Sequence, residues 1–175
     1  SIGNAETKTT IETVNNWNFF NEGTLKILGK EITFKDSSSE NNRTQGDSSA
    51  SGYIAETFIG NDDGTTSKIA FTSQRDAINV IAPGSKVEIK AKEVSISAEG
   101  TGIWAQSNSQ DKNAPSNSAK VIIEADRLTI DAKQQGIVAF SNSQVAINAD
   151  TAITADRVIK TRGNATTNIN TDGKH

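Results

Sequence analysis

The sequence predicts an all-β protein, a parallel β-helix solenoid, and three observations lead to this fold class. Of the 175 residues, 20 are Ile and 8 are Val against three Leu, so most large aliphatic side chains are β-branched and favour strands. A segment of 25 residues recurs along the chain. Within each copy, apolar and polar residues alternate, which is typical of strands that bury one face.

The repeat sets the size of each turn of the solenoid, or rung. Residues 86–110 align without gaps with residues 120–144, at an offset of 34. The next copy starts at once, because VAINAD at 145–150 matches VIIEAD at an offset of 24, and ITAD at 153–156 continues one residue out of step. We infer rungs of about 24 residues. The first interval has ten extra residues, which are residues 111–119 and their junction, and these are predicted to form a polar surface loop.

Three apolar sets within one copy predict three strands per rung. Charged or glycine-containing turns separate these sets, which are Val121, Ile123 and Ala125; Leu128, Ile130 and Ala132; Ile137 and Ala139. A single rung cannot close a core, so stacked copies must bury these side chains against one another. By analogy with other rungs of this length, we expect a right-handed helix.

The two ends of the chain are expected to differ from its centre. IAFTSQ at 69–74 resembles the strand end at 137–144, so we expect rungs from residue 54 to residue 175. Residues 1–53 are predicted to cap the first rung, with an exposed polar loop at 36–52. This region holds the aromatic residues Trp17, Phe19, Phe20 and Phe34. We expect the rungs to continue past residue 175, because an exposed final strand would be a pairing hazard.

Composition excludes several kinds of chemistry. The chain has no Cys and its single His is residue 175, which excludes thiol nucleophiles, Cys-ligated zinc and Ser/His/Asp catalysis. The formal charge of −3, without a basic cluster, argues against a nucleic-acid partner. No apolar run approaches the ~20 residues of a membrane-spanning helix, so no direct membrane insertion is expected. No cofactor is expected either.

The rungs resemble the passenger domains of Gram-negative autotransporters (type V secretion), especially adhesin and haemagglutinin-like passengers. The resemblance rests on the pattern V-x-I-x-A-x-x-V/L-x-I-x-A, on GI-x-A-x-SNSQ strand ends and on an Asn/Ser/Thr/Asp-rich surface, and it covers residues 54–175. It implies an extracellular or cell-surface location, with the signal peptide absent from this mature fragment. It also implies adhesion, aggregation or biofilm formation through a host glycan, a matrix or surface protein, or self-association between cells.

Two alternatives to an adhesin remain open. A polysaccharide lyase on the same scaffold would need clustered acids and a basic residue, but the aligned outward positions 88/122/146 and 90/124/148 hold no recurring acid. We therefore expect no enzymatic activity. The second alternative is a purely structural cap or stalk segment.

Three aromatic residues are the main candidate binding site. Trp104, Phe71 and Phe140 occupy nearby points of strand ends that the alignment places together. If Ile103 and Ala105 point inward, alternation turns Trp104, Val138 and Phe140 outward on one face, where the aromatic rings could stack on sugars or bind a partner. The alternatives are reversed alternation or a loop at 111–119 that covers them.

Two further residue pairs invite structural interpretations. Asn108 and Asn142 occupy matching SNS turns and could form a hydrogen-bonded amide ladder, or could serve independently as turn residues that tolerate positive φ. Asp62 and Asp63 could bind calcium, but NDDG lacks the alternating spacing of a calcium loop and favours a simple turn.

Overall fold

The computed structural model describes residues 1–13, 23–36, 56–81, 83–107, 118–171 and 173–174. These residues form thirteen β-strands and no helix. The strands are β1 (Lys8–Thr13), β2 (Thr24–Ile27), β3 (Glu31–Asp36), β4 (Glu56–Ile59), β5 (Lys68–Ser73), β6 (Ile78–Val80), β7 (Lys86–Ala98), β8 (Ile103–Gln106), β9 (Lys120–Ala132), β10 (Gln135–Phe140), β11 (Gln144–Thr154), β12 (Arg157–Arg162) and β13 (Thr166–Ile169).

The strands form two sheets, and every described pair is parallel. The first sheet has the order β1-β3-β5-β7-β9-β11-β13, with β2 beside β4 and β4 beside β7. The second sheet has the order β12-β10-β8-β6. From β5 onward, the chain passes repeatedly between the two sheets instead of forming hairpins. The predicted all-β class with parallel strands is confirmed, and this arrangement is consistent with a β-helix or solenoid.

Strand register follows the sequence repeat. Val87 of β7 lies opposite Val121 of β9, which lies opposite Val145 of β11. These are the partners that the offsets of 34 and 24 residues predict. Between β9 and β11 the register shifts at Asn148 and Asp150, which accounts for the copy that runs one residue out of step.

The core consists of ladders of like side chains between the strands. One ladder runs through the first sheet with every member buried: Ile27, Ile59, Ile89, Ile123 and Ile147. Each buried Ile contributes about 1.5–3 kcal/mol by leaving water. Because the same residue recurs at the same register, its shape is matched by both neighbours.

Strand pairing begins well before the predicted boundary at residue 54. β1 and β3 already belong to the first sheet, with Ile11 opposite Phe34 and Phe34 opposite Phe71. Phe34 is buried and stacks on Phe71, with ring centroids 4.6 Å apart. The predicted cap residues Trp17, Phe19 and Phe20 lie outside the described residues.

The predicted polar loop at 36–52 is described only at its first residue. Asp36 is the last residue of β3 and is buried, where its Oδ2 accepts a hydrogen bond from Ser73 Oγ at 3.4 Å. Asp36 therefore belongs to a strand and not to an exposed loop. The rest of that segment lies outside the described residues.

The segment IAFTSQ does not pair with the strand ends that it resembles. It contributes to β5, which pairs with the second half of β7, where Ile69 lies opposite Val94. The element that pairs with β8 is β6, in which Ile78 lies opposite Ile103. A strand with one buried face has the same alternation in either sheet, so a short apolar pattern does not reveal which sheet it joins.

Candidate functional site

The outer face of the second sheet carries the aromatic pair that the sequence singled out. Ile103, Ala105 and their partners in β10 are fully buried. Trp104 and Gln106 alternate with them in β8 and are partly exposed, as is Phe140 in β10. Side chains at these positions therefore point away from the core, as the alternation predicts.

The two aromatic rings hold each other in place. The Trp104 and Phe140 rings meet edge to face, with centroids 5.3 Å apart and planes at 70°. Such a contact contributes about 0.5–1.5 kcal/mol beyond the area it buries. Trp104 Nε1 donates a hydrogen bond to Gln106 Oε1 at 3.1 Å, so the amide nitrogen of Gln106 faces away from this bond.

Two cations from β12 complete this surface. Lys160 Nζ lies 5.3 Å and Arg162 Cζ lies 5.7 Å from the centroid of the Phe140 ring, within the range of cation–π attraction. Within the described part of the chain, neither cation forms an ion pair. We use the name aromatic strip for Trp104, Gln106, Phe140, Lys160 and Arg162.

Phe71 does not belong to the aromatic strip. It is 2% exposed, lies in the first sheet and stacks on Phe34. The prediction that it is an exposed contact residue is wrong, because β5 joins the first sheet and places Phe71 opposite Ile96 in the core.

Asn142 lies in a turn, whereas Asn108 lies outside the described residues, so the predicted amide ladder stays a prediction. Asn142 has a φ of 59°, and Asn164 in the next turn has the same value. The two turns are linked through the backbone, since Asn142 N donates to Gly163 O at 2.9 Å. The sequence repeat did not single out Asn164, because GNA replaces SNS in that turn.

Asp62 and Asp63 lie in the turn between β4 and β5, and each carboxylate has its own partner. Asp62 Oδ2 pairs with Lys26 Nζ at 3.0 Å, while Asp63 Oδ1 accepts a hydrogen bond from Thr65 Oγ1 at 2.7 Å. The hydrogen bond from the Thr65 side chain is the largest cause that lowers the pKa of Asp63 below its ordinary value. Among the described residues, no group of three or more Asp, Glu, His or Cys side chains is arranged to hold a metal.

The outer face of the first sheet carries a ladder of alternating charges that the sequence analysis missed. Each member lies opposite the next in register, in the order Lys8, Glu31, Lys68, Glu93, Arg127 and Asp150. Two of these neighbours form ion pairs, Lys8 with Glu31 at 3.2 Å and Arg127 with Glu93 at 3.6 Å. Only the strand register reveals this ladder, because its members lie far apart in sequence.

A shallow cleft of about 360 Å³ lies beside residues 90–92 of β7 and residues 124–126 of β9. Lys90, Lys92 and Lys174 line it together with Glu124 and Asp126. Acids and bases thus mix in this cleft, whereas the charged members of the aromatic strip are cations alone. The sequence offered no signal for the cleft beyond its charged turn residues.

No protein-family model, curated protein or solved structure matches this chain. The described part of the chain contains no helix with the length and hydropathy that a membrane span requires.

Proposed function

We propose that this chain is an extracellular interaction module of the autotransporter-passenger type. In this proposal it binds a host glycan or a surface protein through the aromatic strip and catalyses no reaction. The observation that carries the proposal is the outward pair of Trp104 and Phe140, partly exposed on strands β8 and β10, whose opposite face is packed core. Aromatic side chains are enriched at binding surfaces because they offer a large contact area with few torsions to immobilise.

The strip suits binding because its side chains are already ordered. The Trp104 ring is held by Phe140 and by the hydrogen bond to Gln106. Val138 lies between Trp104 and Lys160 in register and is fully buried, so the expectation that it is exposed beside the aromatic rings is wrong. A partner therefore meets a surface that loses little side-chain entropy on binding.

The same proposal includes a finer description of the fold. We propose that the two sheets are faces of a right-handed β-helix, with about 24 residues and three strands in each rung. Along the chain, each strand of the second sheet is preceded and followed by a strand of the first sheet, which supports this arrangement. The proposed cap, residues 1–53, would then include β1, the end strand of the first sheet.

Binding of the purified chain to an immobilised panel of glycans and extracellular-matrix proteins tests the function. The variant is Trp104→Ala, and its matched control is Phe58→Ala. Phe58 is also partly exposed and outward, but it lies in the first sheet, with Lys86 Nζ 4.8 Å from its ring centroid.

We expect Trp104→Ala to weaken binding by about tenfold or more, as truncation of a central aromatic contact does. Phe58→Ala should bind like the unmodified chain. Equal loss in both variants, or binding that Trp104→Ala leaves intact, would refute the aromatic strip as the contact surface. Circular dichroism of both variants checks that each is folded.

A further inference from the structure

We infer that the ligand of the aromatic strip is an acidic glycan, a sugar chain that carries carboxylate or sulfate groups. This inference rests on the proposed function and deepens it by naming the chemical class of the ligand. In it, Trp104 and Phe140 contact the apolar faces of sugar rings, while Lys160 and Arg162 bind the acidic groups.

The first step of the argument is the charge of the outward strand positions. In β8, β10 and β12 these positions hold two cations and no carboxylate; they are Trp104, Gln106, Gly136, Val138, Phe140, Val158, Lys160 and Arg162. The chain as a whole has a formal charge of −3. The strip is therefore a local positive region on an acidic protein.

The second step is the contrast with the first sheet. There, cations of the charge ladder pair with acids, as Lys8 does with Glu31 and Arg127 with Glu93. In the described residues, Lys160 and Arg162 have the Phe140 ring as their partner. Their charges remain available to an anion, and an arginine can bind a carboxylate or a sulfate with two parallel hydrogen bonds.

The third step is the length of the strip. Gln106, Phe140 and Arg162 lie side by side in register on three adjacent strands. Trp104 and Lys160 lie on either side of Val138, which is fully buried. At about 4.8 Å between strands, the strip spans about 10 Å from β8 to β12. That span accommodates two sugar units, with one ring at the aromatic pair and an acidic group at the cations.

Other anionic polymers fit this surface less well. A nucleic acid requires a track of cations along its phosphates, whereas the strip offers two. An acidic peptide would use the cations but has no rigid apolar ring face for Trp104. A sugar that carries an acid combines both features within one or two units.

The test uses polymer pairs that differ only in charge. The probes are polygalacturonate and its carboxyl-reduced form, dextran sulfate and dextran, and poly-L-glutamate as an acidic peptide. The variant Lys160→Gln/Arg162→Gln removes the strip cations. Its matched control, Lys26→Gln/Lys86→Gln, removes the two cations beside the Phe58 ring and gives the same net charge.

We expect the acidic form of at least one pair to bind more tightly than its neutral form. We expect Lys160→Gln/Arg162→Gln to weaken that binding by about tenfold, since two exposed charge pairs together contribute about 1.4 kcal/mol. The control variant should bind normally. The two polymer pairs distinguish recognition of carboxylate from recognition of sulfate.

Each remaining result overturns the inference in a recognisable way. Equal binding of acidic and neutral forms, still lost in Trp104→Ala, would refute the acidic ligand but leave the proposed function standing. If poly-L-glutamate binds as tightly as the acidic polysaccharides, the assignment of the ligand as a glycan is refuted. If binding remains selective for the acidic form in Lys160→Gln/Arg162→Gln, the anion site lies elsewhere and the inference is refuted. Self-association of that variant would then indicate that these cations keep the edge strand β12 from pairing with another chain. Failure of every probe and panel member to bind would refute both proposals.

Discussion

Replacing Ile123 with Ala should destabilise the protein far more than the same change at its neighbour Ile122. The two residues are adjacent in β9, but Ile123 is fully buried between Ile89 and Ile147 while Ile122 is partly exposed on the outer face. The pair is therefore a matched comparison of inward and outward positions in one strand.

The magnitude follows from the ladder around Ile123. Removing three carbons costs about 2.4 kcal/mol at ~0.8 kcal/mol per carbon. Ile89 and Ile147 are held by their own strand pairing, so they cannot close the space, and the residual cavity raises the total to about 3–4 kcal/mol. For Ile122→Ala we expect a loss below about 1 kcal/mol, because that side chain already contacts water.

Urea unfolding followed by far-ultraviolet circular dichroism measures both changes in the free energy of unfolding. Transition slopes that remain equal among the three proteins would show that the comparison reflects stability alone. Equal losses for the two variants, or a larger loss for Ile122→Ala, would refute the assignment of inward and outward faces. That result would also remove the basis for placing Trp104 on the outer face, since the same alternation is used there.

Two further predictions concern surface charges. Arg127→Glu places an acid between Glu93 and Asp150, so that three acids follow one another in the charge ladder. We expect a loss of about 0.5–1 kcal/mol in the free energy of unfolding at low salt that largely disappears near 1 M salt, and a loss independent of salt would contradict a charge effect. Asp63 has a lowered pKa because Thr65 donates a hydrogen bond to it, so its contribution to stability is present above the ordinary carboxyl pKa and is lost as pH falls through the lowered value. The difference in melting temperature between the unmodified chain and Asp63→Asn should therefore shrink in acid, and a constant difference would contradict this linkage.

The sequence predicted strand register best where the repeat is strongest. Residues 86–110 and 120–144 share enough identical positions that the alignment alone pairs Val87 with Val121, and these two residues are partners in the sheet. In stacked repeats, equivalent positions lie opposite one another, so residues that align in the sequence repeat are expected to be partners in the sheet. The same logic predicted a shift of one residue between residues 150 and 153, and in the structure the shift lies slightly earlier, between Asn148 and Asp150.

Prediction failed where the copies diverge. β1 reads KTTIET, with one large apolar residue, and its polar composition hid its place in the first sheet. The prediction for Phe71 chose the wrong sheet because alternation alone does not distinguish one sheet from the other. The core accepts Phe71 because Phe34 occupies the neighbouring position and stacks on it, a pairing of two residues from non-adjacent segments that no local pattern reveals.

The cations of the aromatic strip were invisible to sequence analysis for a related reason. RVIKTR at 157–162 does not resemble the strand ends beside which it lies, so no repeat places Lys160 and Arg162 next to Phe140. Parallel strands in register bring equivalent positions within about 4.8 Å, and like charges at that distance repel. In the first sheet the charge ladder alternates acids and bases, although Lys86 lies opposite Lys120. In the second sheet, Lys160 and Arg162 lie opposite the uncharged residues Val138 and Phe140. Because Lys160 and Arg162 form no ion pair with an acid among the described residues, the outer face of the second sheet is better suited than that of the first to bind an external anion.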